Sequence, residues 1–181
     1  MFRMKTGIVI VIIALLVMLV AKRVMRADTD GKMPQAGQMA PDFTLNSQED
    51  KPVTLSQYHG KWVVLYFYPK DQTSGCTIEA HNFQRDLDQY TKANAVILGV
   101  SVQDANSHKA FCTKESLTFK LLADTDKKVS KMYDSMMTIF PVSERNTFLI
   151  GPDGKIVKVW TKVSPEGHSA EVLAEIAKDE K

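Results

Sequence analysis

Two thiols and one arginine carry the chemistry that this sequence can do. Cys76 lies in the stretch YFYPKDQTSGCTIE (Tyr66–Glu79), where Pro69 ends a strand-like run and a helical period begins. A thiol in the first turn of a helix faces unpaired backbone N–H groups and the positive end of the helix dipole, which favour thiolate and make the sulfur a nucleophile. The Thr73 hydroxyl, three residues earlier, can bond the thiolate or an oxygen under attack. Pro69 has no N–H to compete for the sulfur and can wall off one side of the pocket. Arg145 opens a later strand-like stretch, where a buried guanidinium requires an anionic partner; a surface pair with Glu144 is the plainer alternative. Cys112, 36 residues after Cys76, stands in another helical stretch. Each cysteine also has a plain reading as a small apolar filler, Cys112 beside Phe111.

Other chemistries are poorly served. A dithiol oxidoreductase uses C-x-x-C and a copper carrier C-x-x-x-C, but Glu79 and Ala80 occupy those positions after Cys76. Two cysteines cannot build a four-thiolate metal centre or a disulfide scaffold. His108, four residues before Cys112, offers only a second ligand and reads as a solvated histidine, while His59, His81 and His168 show no ligand spacing. No metal or organic cofactor is expected. There is no G-x-G-x-x-G or P-loop. The chain has 23 basic and 21 acidic residues, a net +2, but Arg3, Lys5, Lys22, Arg23 and Arg26 put +5 into residues 1–27. Residues 28–181 therefore carry a net minus 3, and no nucleic-acid partner is expected.

The elements that must position these groups follow from hydrophobic period. Trp62–Tyr68 (WVVLYFY) and Ala95–Val102 read as buried strands, with shorter strands at Phe43–Leu45, Val53–Leu55, Lys120–Ala123, Thr147–Ile150 and Lys155–Thr161. Helical period runs from Cys76 through Ala80, Phe83 and Leu87 to Tyr90. Further helices are expected at Asn106–Leu117, capped by Asn106 or Ser107, at Asp126–Tyr133 with an acidic cap, and at Ser169–Lys178. Gly151-Pro152-Asp153-Gly154 marks a hairpin. The order β-α-β-α-β-α-β-β-α implies an α/β, thioredoxin-like fold, a mixed central sheet with helices on both faces.

Before this domain, Thr6–Ala21 has no charge and Ile8–Val20 is apolar without a break. At 1.5 Å per residue this reaches roughly 24 Å, a length open to a signal peptide or a signal anchor; Ala21 and Ala27 match the A-x-A cleavage pattern poorly, so an uncleaved signal anchor over residues 1–27 is favoured. Residues 28–40 read as a flexible tether and 41–181 as the folded domain. The expectation is a membrane-anchored protein with an extracytoplasmic, periplasmic domain.

The P-x-x-x-T-x-x-C string of Pro69, Thr73 and Cys76 resembles the active-site signature of peroxiredoxins. YPKD-x-T-x-GCT-x-EA, the APDFTL from Ala40, the GVS of Gly99–Ser101 and RNTFLIGPDGKI of Arg145–Ile156 resemble the bacterioferritin comigratory protein (PrxQ) subfamily. The resemblance implies a thiol-dependent peroxidase acting on hydrogen peroxide and organic hydroperoxides. In it Cys76 is the peroxidatic cysteine, Thr73 and Pro69 line its pocket, and Arg145 polarises thiolate and peroxide. Many members carry a second cysteine five residues after the first, where this chain has His81. Cys112 then resembles the resolving cysteine of another subgroup, with a thioredoxin-like protein as reductant and a monomer or weak dimer as the working form; without it the enzyme uses an external thiol. A membrane-tethered thiol–disulfide oxidoreductase and a non-catalytic binding module on the same scaffold are the alternatives.

Overall fold

The computed structural model describes residues 32–179. A strand rich in β-branched and aromatic residues must have both faces covered, and β3 (Trp62–Phe67) is buried at every position. Its alternate side chains enter two cores, Val63, Leu65 and Phe67 on one face and Trp62, Val64 and Tyr66 on the other. Around it lie β1 (Thr44–Ser47), β2 (Pro52–Thr54), β4 (Ala95–Ser101), β5 (Lys120–Ala123), β6 (Thr147–Ile150) and β7 (Ile156–Trp160), in the sheet order β2-β1-β5-β4-β3-β6-β7. The central β3, β4 and β5 are parallel. The outer strands join antiparallel, so the mixed sheet is the one that the element order predicts.

The helices are α1 (Ser74–Arg85), α2 (Leu87–Lys92), α3 (Ala105–Glu115), α4 (Lys128–Met132) and α5 (His168–Asp179). Ala80 and Phe83 of α1, Tyr90 of α2, Phe111 and Cys112 of α3, and Val172 and Ile176 of α5 fill the first core. Val129 of α4 packs with Phe43, Leu55 and Tyr133 in the second. The single helix expected from Cys76 to Tyr90 is divided at Asp86. The Asp86 carboxylate is held by the Arg85 guanidinium at 2.7 and 2.8 Å and by the Ser169 hydroxyl at 2.8 Å. Other caps also differ from expectation. Asp104, not Asn106 or Ser107, caps α3, accepting the Ser107 N–H at 2.8 Å. At α4 the buried Asp124 accepts the N–H groups of Val129 and Ser130 at 3.1 and 2.7 Å. The exposed Asp126 accepts a single backbone N–H, that of Lys128, and pairs with the Lys128 ammonium.

The expected tether is corrected at its C-terminal end. Gly37 N–H donates to the Ile156 carbonyl at 2.7 Å, Ile156 N–H to that of Gln38 at 2.9 Å, and Ala40 N–H to that of Gly154 at 2.9 Å. β7 is an edge strand, and its unpaired backbone groups recruit this segment. Residues 28–31, like the anchor expected over residues 1–27, lie outside the described residues.

Gly99 shows how tightly the first core is closed. It faces Tyr66 across the β3–β4 ladder, and a Cβ there would stand 2.7 Å from the Tyr66 ring and hydroxyl and from Leu121 Cδ2. Tyr66 cannot retreat, since its ring lies against Phe83 at 4.9 Å and Tyr68 at 5.5 Å. Gly99→Ala is therefore expected to destabilise the fold by about 1–3 kcal/mol. Urea unfolding checks this, and an unchanged midpoint would show that the core has slack.

Candidate active site

Pro69 and the rest of the β3–α1 loop lead the chain from the sheet to α1. Thr73 is the N-cap residue with extended backbone, and the first i to i−4 bond runs from Thr77 N–H to the Thr73 carbonyl at 2.9 Å. Cys76 thus sits in the first turn, 2% exposed. Opposite it, Arg145 comes from the irregular stretch before β6. Its position is set by backbone: Phe67 N–H donates to the Asn146 carbonyl at 2.8 Å and Val163 N–H to that of Arg145 at 2.9 Å. The Asn146 amide adds bonds to Ser135 Oγ and Lys162 N–H, both 3.1 Å.

The guanidinium therefore reaches α1 in one orientation. Arg145 Nη2 donates to Cys76 Sγ at 3.4 Å, while Nη1 is bonded to Glu79 Oε2. Gly75 makes room for it, because a Cβ there would lie 3.3 Å from Nη2. Glu79 stands one helical turn after Cys76, so its carboxylate and the sulfur flank the same guanidinium. It is 1% exposed and its Oε1 has no hydrogen-bond partner. Burial pushes its carboxyl up to about 7, although Arg145 pulls the other way. For Arg145 burial acts downward, and the neighbouring Glu79 and Cys76 outweigh it, so the guanidinium is held more firmly charged.

Of the groups singled out in the sequence, Cys76 and Arg145 are in contact. The partner that Arg145 requires is Glu79, not Glu144. Pro69 is half-buried, separated from the end of β3 by Tyr68. Thr73 is exposed, and its hydroxyl donates to the Lys70 carbonyl at 2.9 Å, so in this arrangement it does not bond the sulfur. Cys112 lies in the same core cluster as Cys76, and both thiols are free. Burial first, and then the nearby Asp71 charge, push the Cys112 thiol up to about 11. His108 is not solvated but fully buried, its Nδ1 2.9 Å from Asp71 Oδ2. His81, where a second cysteine stands in many relatives, pairs on the surface with Glu115 of α3 at 2.9 Å. Among the described residues no three His, Cys, Asp or Glu side chains are grouped to hold a metal ion. Glu79 was the functional residue missed by sequence reasoning; the available signal was its i, i+3 spacing from Cys76.

A thiol in the first turn of a helix, packed on a thioredoxin-like sheet and held by a buried arginine, defines a cysteine-based redox enzyme. The AhpC/TSA family model matches residues 36–159. Peroxiredoxin Bcp of Bacillus subtilis (strain 168) is 40% identical over 145 residues, covering 77% of this chain and 92% of that protein. The chloroplastic peroxiredoxin Q of Triticum aestivum is 41% identical over 139 residues, 76% of this chain and 64% of that protein. Among solved structures, a mutant of Xylella fastidiosa PrxQ superposes with a TM-score of 0.79 at 36% identity, covering 83% of this chain and 100% of that one. The chain belongs to the AhpC/TSA family, with homologues of the Bcp/PrxQ type, and is a thiol-dependent peroxidase.

The membrane-anchored, periplasmic localisation expected from the sequence is corrected by the same comparisons. Matches covering 77% and 83% of this chain take in 92% of the Bacillus protein and all of the Xylella chain, so the comparisons offer the expected anchor no counterpart. No helix among the described residues is long and apolar enough to cross a membrane. The comparisons give no support to the membrane-tethered oxidoreductase or to the membrane as a partner.

Proposed function

We propose that Cys76 is the peroxidatic cysteine and that the enzyme reduces hydrogen peroxide and organic hydroperoxides by a two-thiol cycle. The observation that carries this reading is the guanidinium of Arg145, fixed by Glu79, with Nη2 3.4 Å from Cys76 Sγ. The thiolate attacks the terminal peroxide oxygen, the O–O bond breaks, and the leaving oxygen departs as water or an alcohol after taking a proton. Cys76 is left as sulfenic acid. Arg145 stabilises the thiolate before attack and the negative charge that grows on the leaving oxygen. Pro69 and Thr73 shape the mouth of the pocket, where rotation of the exposed Thr73 hydroxyl brings it to the peroxide.

Cys112 then attacks the Cys76 sulfur. The 76–112 disulfide forms, water leaves, and a thioredoxin-like dithiol reduces the bond by exchange. A disulfide needs Cα atoms within about 7 Å; the two buried thiols stand on different helices, α1 and α3, and unwinding of the first turn of α1 after oxidation frees Cys76 to meet Cys112. The burial and high proton affinity of Cys112 favour a second reading, a one-cysteine peroxidase regenerated by an external thiol. In either form the enzyme works as a monomer or weak dimer, with Ile139 and Phe140 as exposed apolar side chains open to a partner.

Mixing the reduced full chain with hydrogen peroxide, then quenching and mapping by mass, separates these. The expected sequence is one oxygen added at Cys76 within the mixing time, followed by a 76–112 bond that Cys112→Ser abolishes. Oxidation no faster than that of a free thiol would sink the assignment of Cys76. A stable sulfenate without the bond would leave the one-cysteine form.

A further inference from the structure

The loop that precedes the Cys76 helix is fastened to the Cys112 helix by a buried polar cluster that the peroxide chemistry does not use. Asp71, in that loop, is 4% exposed. Its Oδ1 accepts the Tyr68 hydroxyl at 2.7 Å. Its Oδ2 accepts the Ser107 hydroxyl at 2.7 Å and lies 2.9 Å from His108 Nδ1. The Asp71 N–H donates to Gln103 Oε1 at 2.6 Å, and the Gln103 amide donates to Ser107 Oγ at 3.0 Å. His108 Nε2 lies 3.2 Å from the Leu122 carbonyl. His108 Nδ1 also lies 3.3 Å from the Tyr68 hydroxyl, so both ring nitrogens are engaged, one between Asp71 and Tyr68 and the other at the Leu122 carbonyl. Burial would raise the Asp71 carboxyl; the hydrogen bonds from His108, Ser107 and Tyr68 and the His108 charge outweigh it and hold it below its ordinary value.

Ser107 and His108 are on α3, and Cys112 is one turn beyond His108. The cluster therefore locks the approach to Cys76 against the element that holds the second thiol. It also keeps Cys112 protonated, since the Asp71 charge adds to burial there.

We propose that Asp71 is a positioning residue for the second half-reaction, latching the β3–α1 loop to α3 so that opening of the Asp71–His108 pair gates the attack of Cys112 on the Cys76 sulfenic acid. The proposal rests on Cys112 as resolving cysteine. In the gated step the Cys76–OH bond breaks and the 76–112 bond forms; Cys112 sulfur is oxidised, Cys76 sulfur is reduced from the sulfenic level, and hydroxyl and thiol proton leave as water. While the latch is closed, a second peroxide competes for the sulfenate and takes Cys76 to sulfinic acid. The latch thus sets how the enzyme divides between recycling and inactivation.

The test is the ratio of 76–112 disulfide to Cys76 sulfinate after rapid mixing of the reduced full chain with graded hydrogen peroxide. Ser107→Ala removes one bond to the carboxylate and is expected to raise the ratio about threefold, and Asp71→Asn, which removes the charge, about tenfold. Val129→Ala, in the other core, serves as a control for lost stability and is expected to leave the ratio unchanged. Ratios unaltered in both latch variants, or raised equally by the control at matched melting temperature, would overturn the latch. Absence of any 76–112 bond in the wild type would instead remove the resolving role itself. If Asp71→Asn does not fold, Ser107→Ala alone decides.

Discussion

Arg145→Met is expected to slow the reaction of reduced protein with hydrogen peroxide by about 100- to 1000-fold, the loss that follows removal of one preorganised donor to developing negative charge. Two sources of loss must be separated. The variant removes the only guanidinium in contact with Cys76 among the described residues, at 3.4 Å. It also leaves Glu79, 1% exposed, without its partner. An unpaired carboxylate in such a place takes up a proton and no longer repels the thiolate, so the loss must come from the missing cation. The double variant Arg145→Met/Glu79→Gln is accordingly expected to match Arg145→Met within about twofold. Arg145→Lys keeps the charge but cannot form the two-pronged contact with sulfur and carboxylate, and an intermediate loss of about tenfold is expected. Second-order rate constants for loss of the Cys76 thiol measure all three. A loss below about threefold in Arg145→Met would remove Arg145 from the mechanism.

Cys76 and Arg145 were legible in the sequence because each stands at a local boundary, a helix start after a proline-ended run and the stretch just before a new strand. The sheet was legible for a similar reason: WVVLYFY and AVILGVS leave no alternative to buried strands. Glu79 was not, because an acid in a helix ordinarily points to solvent; only the position of Arg145, fixed 66 residues away in sequence, shows that it turns inward. The pairing of Asp71 with His108 spans 37 residues and depends on how α3 is rotated against β5, which periodicity does not specify. A weak signal existed in His108 and Cys112 four residues apart, since Cys112 on the buried face carries His108 inward with it. The divided helix at Asp86 escaped for another reason. Its apolar spacing continues unbroken to Tyr90, and the interruption comes from a side-chain clamp by Arg85 and Ser169.

Glu79 also confers a pH dependence opposite to that of most carboxylates. Its proton affinity rises from the ordinary 4.5 to about 7 on folding, because burial penalises the charged form more than Arg145 supports it. A carboxyl whose value is raised in the fold contributes stability that is fully present below 4.5 and is lost as pH rises through about 7. The shift corresponds to roughly 3 kcal/mol. Urea unfolding of the reduced protein and of Glu79→Gln, followed from about pH 4 to about pH 8, isolates this contribution from the other carboxylates. The wild type is expected to lose roughly 3 kcal/mol relative to the variant across that window, most of it between pH 5 and about pH 7. Parallel curves would mean that Glu79 stays ionised in the fold and that Arg145 fully offsets its burial. The same proton bears on the chemistry: with Glu79 protonated, the charge of Arg145 is left to the Cys76 sulfur alone, and above about pH 7 the two anions share it.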